Sequence, residues 1–477
     1  MGKNRTLVGI AWSAVERFSV HGISFLLQLV IARLLLPSDY GLIAMSVIFL
    51  AIAQCFVDSG FGNALIQKQD RTQTDYSTVF YFNIIIGIAI YLIIILASPL
   101  IAKFYEQPIL KEIIVWLGLV IIINSFAIVQ RSILTIAINF KKQAIISVIG
   151  VLISGLVALY MAYTGYGVWA LVVQSLLNSF ISTLLMWMLV KWSPSWEFST
   201  SSFRSLFSFG SKLLISNLLH TIYTNLYTLV IGKVFNTTQL GLYSKASAIS
   251  KLPSYNITSI LNRVFYPILC EVQEDDRKVT DNFYLYVRII SLAVFPLMIG
   301  LAVIAKPIVL LVLSEKWLPC VPYMQILSIA YMLDPISNLS TSVLNVKHRS
   351  DLVLRAEVIK KVIALIILVI TIPFGVKVMC YGLLCYSVLD ILIITQYSKS
   401  ILPEINFLNH MKKVFPVLLQ SLFMGGAVLV WINVFDNIFI RLLGGIMIGC
   451  VAYLLIVSIF CKKEINLIIG ILHEHKV

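Results

Sequence analysis

The sequence predicts an all-α polytopic membrane protein of two parallel-repeat six-helix lobes and two C-terminal helices, about 14 transmembrane helices. Three observations predict it: the composition, an internal repeat and the distribution of basic loops. Of the 477 residues, 59% are hydrophobic and only 12% are charged, and the mean hydropathy is +0.94. A soluble protein of this length could not bury so much apolar surface. Apolar runs of about 20 residues between short loops are instead typical of membrane-spanning helices.

The apolar runs define the order of the helices. Six spans are predicted near 8–34, 40–66, 77–101, 111–138, 143–163 and 167–190. Six more are predicted near 206–233, 239–268, 283–313, 320–345, 352–374 and 376–398, followed by two near 412–433 and 438–460. We therefore expect an N-terminal lobe at 1–190, a cytoplasmic linker at 191–205, a C-terminal lobe at 206–400, and the two extra helices with a cytoplasmic tail at 401–477.

An internal repeat relates the two predicted lobes. LVIARLLLPSDYGL at 29–42 returns as LVIGKVFNTTQLGL at 229–242 without a gap. Later segments align at slightly larger offsets, as loop insertions between matched helices would produce. Because six spans is an even number, both copies have the same orientation in the membrane, which indicates a parallel duplication.

The basic residues predict the topology. Roughly 20 Lys and Arg fall on one set of alternate loops and about 8 on the other, as the positive-inside rule expects. Both termini are therefore predicted in the cytoplasm. The formal net charge of +14 is then explained by topology, and no compact basic domain indicates a nucleic-acid partner. No cleavable signal peptide is evident, because the first apolar segment contains charged residues.

The chain carries no motif for catalysis or for a cofactor. Its seven cysteines are scattered without ligand spacing, which argues against a disulfide framework or a metal site. No Walker loop, HExxH sequence or nucleophile motif is present. We therefore predict neither an enzyme nor a cofactor or metal site.

Polar side chains follow one face of the first predicted helix. Arg17, His21 and Gln28 share this face, and the seventh helix has a polar stripe at the same positions plus 200, with His220 beside it. Matching stripes on duplicated helices predict that both line one central, substrate-binding cavity. Polar contacts between packed helices are the alternative.

Further charged residues lie inside predicted spans, where each charge is costly. The eighth helix carries Lys245 and Lys251, and Pro253 is expected to interrupt the helix before Arg263. Arg and Lys suit the binding of phosphate. Arg131 and Arg263 are candidates for the same role, although they could equally extend toward cytoplasmic headgroups.

Three acidic residues are candidates for ion coupling. These are Glu16, Asp58 and Asp334. Asp334 corresponds to Asn124 of the first repeat at an offset of 210. Glu16 and Asp58 have an alternative role as ion-pair partners of the neighbouring basic residues.

Three segments of the sequence resemble a known family. TLVGIAW at 6–12, LLLPSDYG at 34–41 and FVDSGFGNALIQ at 56–67 are similar to the lipopolysaccharide and exopolysaccharide flippases of the multidrug/oligosaccharidyl-lipid/polysaccharide exporter superfamily. The resemblance implies two six-helix lobes around a central cavity. It also implies alternating-access transport of polyprenyl-pyrophosphate-linked oligosaccharides across the bacterial inner membrane.

The expected function is therefore a multi-pass flippase for lipid-linked oligosaccharide repeat units in surface polysaccharide synthesis. Membrane lipid, a proton or sodium gradient, and a polysaccharide polymerase with its export machinery are the expected partners. A drug exporter of the same superfamily is an alternative, but it would favour an acidic cavity. A polysaccharide polymerase or glycosyltransferase, and a passive scramblase-like path, are further alternatives.

Overall fold

The computed structural model describes residues 20, 22–58 and 61–460, and within them the chain is helical with no β-strand. The polytopic all-α fold predicted from the sequence is confirmed. The helices of the first part are α1 (Gly22–Leu34), α2 (Pro37–Asp58), α3 (Phe61–Gln67), α4 (Gln73–Tyr105), α5 (Ile109–Ser125), α6 (Ile128–Ile136), α7 (Phe140–Tyr163), α8 (Trp169–Leu189), α9 (Thr200–Thr224) and α10 (Leu226–Val234).

The second part begins with α11 (Thr237–Glu271), α12 (Asp276–Val303) and α13 (Ala305–Ile308), then a π-helical turn (Val309–Leu313) and a 3₁₀ turn (Glu315–Cys320). It continues with α14 (Val321–Tyr331), α15 (Asp334–Val346), α16 (Ser350–Thr371), a 3₁₀ turn (Ile372–Phe374), α17 (Val376–Lys399), α18 (Phe407–Val434) and α19 (Ile438–Phe460). Each predicted span from 40–66 onward corresponds to one of these helices or to a consecutive set.

Eight helices of the described chain are long and apolar enough to cross a membrane, or nine when the bent pair α5–α6 counts as one span. The kink between α5 and α6 is 45°. Other predicted spans are helical but shorter, interrupted or more polar; α16, for example, carries four charged residues in its first half. The total of 14 spans stays a prediction.

The chain separates into two compact units, Met1–Gly241 and Leu242–Val477. In the first unit, α4 packs on α5, α7 packs on α8, and α5 joins these two pairs. In the second unit, α12 is the central helix and packs against α14, α15 and α18. Half of the residues of α12 are buried, including Phe283, Phe295 and Met298, because it contacts helices on several sides.

The two copies of the repeated motif contact each other within the first unit. A Cβ placed on Gly41 would collide with the backbone carbonyl of Thr237, and a Cβ on Gly241 would collide with that of Pro37. Only glycine allows the first turns of α2 and α11 to approach this closely. The glycines matched in the sequence therefore form a reciprocal packing contact.

The predicted linker is attached to the start of α4. The non-helical part of this linker covers 190–199, because α9 already begins at Thr200. Ser77 Oγ accepts a hydrogen bond from the Ser195 backbone at 2.9 Å, and Thr78 Oγ1 accepts one from Ser199 at 3.0 Å. These bonds give the linker a fixed path along the first unit.

Helix α11 corrects one expectation from the sequence. The helix continues from Thr237 to Glu271 without the interruption expected at Pro253. Proline removes one backbone donor from the helix, but hydrogen bonds from the same segment to α14, described below, hold it in place.

Candidate functional site

The candidate site of the second unit is built on one face of α11. Ser247 hydrogen bonds the Tyr331 hydroxyl at 2.9 Å, and Ser254 donates to the Tyr331 carbonyl at 2.7 Å. Ser250, on the same face, donates to the carbonyl of Met324 at 3.1 Å. Serines spaced by three and four residues lie on one side of a helix, so this pattern fixes α11 against α14.

Lys251 lies beside this row of serines. Its Nζ is 5.9 Å from the centre of the Tyr331 ring, within the range of a cation–π contact. Tyr331 is thus held by Ser247 through its hydroxyl and by Ser254 through its carbonyl, and its ring supports the ammonium group. The Lys251 side chain is exposed at this position.

Asp334 is a carboxylate within electrostatic range of Lys251. It is the first residue of α15, immediately after the break that separates α15 from α14. Lys251 is the cation that acts on Asp334, and Asp390 of α17 is a second carboxylate near it. Lys251 and Asp334 lie on helices from different parts of the second unit.

Asp390 has its own cation on α16. The Lys360 Nζ lies 2.8 Å from Asp390 Oδ1 and 3.1 Å from Glu357 Oε1. The Lys360 side chain is 4% exposed and that of Asp390 is 15% exposed. Lys361 reaches the other oxygen of Glu357 at 3.4 Å. We call Lys251, Asp334, Asp390, Lys360, Glu357 and Lys361 the charged cluster; it contains three cations and three carboxylates.

Sequence inspection identified only part of this cluster. Lys251 and Asp334 were predicted site residues, whereas Lys360 and Asp390 were not. A sequence signal for both existed, because each is a charged residue inside a predicted apolar span. Their pairing across 30 positions depends on the packing of α16 against α17.

The polar residues of the first unit form a smaller chain. Asn124 of α5 donates to Gln54 of α2 at 3.2 Å, and Gln54 donates to Asp58 Oδ1 at 3.0 Å. Arg131 of α6 is the cation that acts on Asp58. Asn124 lies near the end of α5, just before the kink between α5 and α6. Asp334 lies just after the break between α14 and α15. A polar residue therefore lies beside an interrupted helix in each repeat.

The other predicted residues have different surroundings. Lys245 is buried, 7% exposed, and lies near the Cys320 thiol. Gln28 and His220 are exposed, and the backbone carbonyl of His220 accepts a hydrogen bond from Thr224 at 2.9 Å. Thr221, from the polar stripe of α9, contacts Cys55 of α2 at 3.2 Å. For this residue the contact agrees with the alternative that the polar stripe packs against a neighbouring helix.

Four predicted site residues lie wholly or partly outside the described part of the chain. Glu16, Arg17 and His21 lie outside the described residues, and so does the side chain of Arg263. Within the described part of the chain, no group of three or more His, Cys, Asp or Glu side chains has the arrangement of a metal site.

An apolar groove of the second unit is bordered by α11 at Pro253. It has a volume of about 500 Å³ and is lined by α11, α12, α18 and α19. Its lining residues include Pro253, Pro296, Gly300, Met424, Gly449 and Tyr453. Pro253 is two residues from Lys251, so one helix carries an exposed cation and the edge of an apolar groove.

Residues 30–322 match the family model described as "Polysaccharide biosynthesis protein". The chain is 26% identical to the lipopolysaccharide biosynthesis protein WzxC of Escherichia coli over 75% of this chain and 73% of that protein. It is 27% identical to the teichuronic acid biosynthesis protein TuaB of Bacillus subtilis over 72% of each. The fold is similar to that of the lipid II flippase MurJ in an inward closed conformation, with a TM-score of 0.77, 15% identity, and coverage of 95% of this chain and 99% of that one.

Proposed function

We propose that this chain, which belongs to the polysaccharide biosynthesis protein family, is a flippase for polyprenyl-pyrophosphate-linked oligosaccharide repeat units. The transport would supply surface polysaccharide synthesis and take place in the bacterial inner membrane. One observation carries the proposal: α11 carries both the exposed Lys251 and, at Pro253, the edge of the apolar groove. A cation and an apolar groove on one helix fit a ligand with an anionic head and a hydrocarbon tail.

The groove suits the tail of such a ligand. Nearly all of its lining side chains are apolar, and Gly300, Gly445 and Gly449 are among the lining residues. The nearest atom to a Cβ on Gly300 would be Met424 Cε at 3.7 Å, so space remains beside this residue. A polyprenyl tail enters the groove from lipid of similar polarity, so packing against the lining side chains would hold it there.

Lys251 suits the pyrophosphate of the head. An ammonium group held by an aromatic ring attracts a phosphate oxygen as a point charge, and the serine row of α11 limits the movement of its helix. Arg17, His21, Gln28, His220, Lys245, Arg131 and Arg263 are proposed as further contacts to the head and glycan. Translocation by alternating access, with both termini in the cytoplasm, is part of the same proposal.

The charged cluster favours this function over export of cationic drugs. A cation site for drugs needs carboxylates without resident cations, whereas Asp390 already binds Lys360 at 2.8 Å. The exposed Lys251 is carried by a helix that borders the groove. We retain the drug exporter as the second candidate because it belongs to the same superfamily.

The test uses purified protein in liposomes with a fluorescent polyprenyl-pyrophosphate oligosaccharide in one leaflet. The proposal expects protein-dependent movement of the label to the other leaflet, and it expects Lys251→Gln to abolish this movement. Lys361→Gln is the matched control, because Lys361 is a neighbouring lysine of the cluster that faces Glu357. Export of a cationic dye without movement of the glycolipid would favour the drug exporter.

A further inference from the structure

We propose that a polar pocket of the first unit binds the headgroup of a zwitterionic membrane phospholipid, with Lys68 on the phosphate and Asp70 on the ammonium group of a phosphoethanolamine. The pocket is formed by residues of the first unit alone, and the inference does not depend on the transported substrate. Its volume is about 560 Å³, within the range of about 300–1,000 Å³ that is typical of small-molecule sites.

The pocket lies where one candidate membrane span ends and the next begins. The first of these spans ends at Gln67, and the next covers Gln73–Tyr105. Lys68 and Asp70, which line the pocket, belong to the connection 68–72 between them. So short a connection keeps both residues near the membrane surface, at the level of the phospholipid headgroups. A lipid headgroup is therefore the ligand that this pocket meets most often.

Helices α3 and α9 supply the rest of the lining. Ser201, Ser202 and Leu206 line the pocket from the first two turns of α9, and Ala64 and Gln67 line it from α3. The serine hydroxyls and the glutamine amide can donate and accept hydrogen bonds to phosphate and ester oxygens. The apolar Ala64 and Leu206 suit the start of the lipid tails.

Lys68 is a fixed cation of this pocket. Its Nζ lies 2.8 Å from Asp75 Oδ2, and the same oxygen accepts hydrogen bonds from the backbone N–H and the hydroxyl of Thr72 at 2.8 and 3.1 Å. The Asp75 side chain is fully buried, whereas that of Lys68 is 26% exposed. Because an ammonium group has three N–H donors, the ion pair with Asp75 leaves donors of Lys68 for a phosphate oxygen.

The charges around the pocket favour a zwitterion over an anion. The connection 68–72 carries two cations, Lys68 and Arg71, and the carboxylates of Asp70 and Asp75 balance them. Asp70 is exposed, and within the described residues it has no ion pair. Its carboxylate can therefore accept charge-assisted hydrogen bonds from an ethanolamine ammonium group. An anionic lipid would instead bring its net negative charge next to Asp70.

The test measures lipid binding to the purified full-length protein in detergent by native mass spectrometry. Phosphatidylethanolamine, phosphatidylcholine and phosphatidylglycerol with identical acyl chains are titrated separately. We expect the first phosphatidylethanolamine to bind roughly tenfold more tightly than phosphatidylcholine, whose quaternary ammonium group has no N–H to donate. Asp70→Asn should abolish this preference. The control Asp281→Asn, which changes an exposed carboxylate outside the pocket, should keep it.

Two variants of Lys68 test the phosphate contact. Lys68→Gln should weaken phosphatidylethanolamine and phosphatidylcholine alike, roughly tenfold, because both carry the phosphate. Lys68→Arg keeps a cation beside the buried Asp75 and should keep lipid binding, which separates the ligand contact from the ion pair. If Lys68→Gln does not fold, Asp70→Asn still decides the proposal.

Three results would overturn the assignment. The first is a wild-type preference for phosphatidylethanolamine over phosphatidylcholine that Asp70→Asn retains. The second is phosphatidylglycerol binding as tightly as phosphatidylethanolamine, which would make the pocket an anion site. The third is displacement of the bound lipid by inorganic phosphate at a comparable concentration, which would remove the lipid as the ligand.

Discussion

Replacement of Lys360 by methionine tests the charged cluster as a structural unit. The substitution leaves Asp390, 15% exposed, without the ammonium group that lies 2.8 Å away. Removing one partner of a buried ion pair costs about 3–5 kcal/mol, because the remaining charge is desolvated and uncompensated. Glu357 keeps a cation, since Lys361 lies 3.4 Å from its second oxygen, so we expect the lower end, about 3 kcal/mol.

The loss is measurable as a change in the unfolding temperature of the purified protein in detergent. At roughly 2–4 °C per kcal/mol for a unit of about this size, Lys360→Met should lower the transition of the second unit by roughly 6–12 °C. Lys361→Met is the matched control. Its ion pair is partly exposed, 38% and 40%, and such pairs contribute about 0–1 kcal/mol.

The double variant Lys360→Met with Asp390→Leu separates charge from packing. Because it removes both buried charges, its transition should recover most of the loss, as replacement of a buried ion pair by apolar side chains is often neutral or stabilising. Equal shifts for the Lys360 and Lys361 variants, or a double variant as unstable as Lys360→Met, would refute the electrostatic explanation.

Two other predictions concern glycines. Gly41→Ala or Gly241→Ala should lower the unfolding temperature through a collision worth about 1–3 kcal/mol, whereas Gly426→Ala, which has no atom within 4 Å of the added Cβ, should not; equal transitions would contradict the packing contact. Gly300→Phe should fill the apolar groove and slow transport of a long-tailed substrate in the liposome assay. Unchanged transport would exclude the groove as the tail site.

Much of the fold was predictable, because apolar runs determine where helices lie. The span predicted at 143–163 is observed as α7, Phe140–Tyr163, and that at 376–398 as α17, Val376–Lys399. The family resemblance noted in the sequence is confirmed by the match over residues 30–322. The interruptions were less predictable: α11 is continuous through Pro253, whereas the span predicted at 283–313 ends in a π-helical turn. Tertiary contacts, which local sequence does not encode, decide whether a proline or an apolar run interrupts a helix.

The candidate site was predictable only residue by residue. A charge inside an apolar run is visible in the sequence, and this signal identified Lys251 and Asp334. Burial and pairing are not visible, so the sequence did not distinguish the buried Lys245 from the exposed Lys251. It also did not indicate that Lys360 and Asp390 pair between neighbouring helices. The polar row of Ser247, Ser250 and Ser254 likewise acquires its meaning only through its partners on α14.

The central claim is that Lys251 receives the anionic head of a lipid-linked oligosaccharide. Its most direct test is the rate at which a labelled polyprenyl-pyrophosphate oligosaccharide changes leaflet in liposomes that contain the wild type, Lys251→Gln or Lys361→Gln at equal protein density. The account predicts transport by the wild type and by Lys361→Gln, and loss of transport by Lys251→Gln. Equal transport by all three proteins would contradict it.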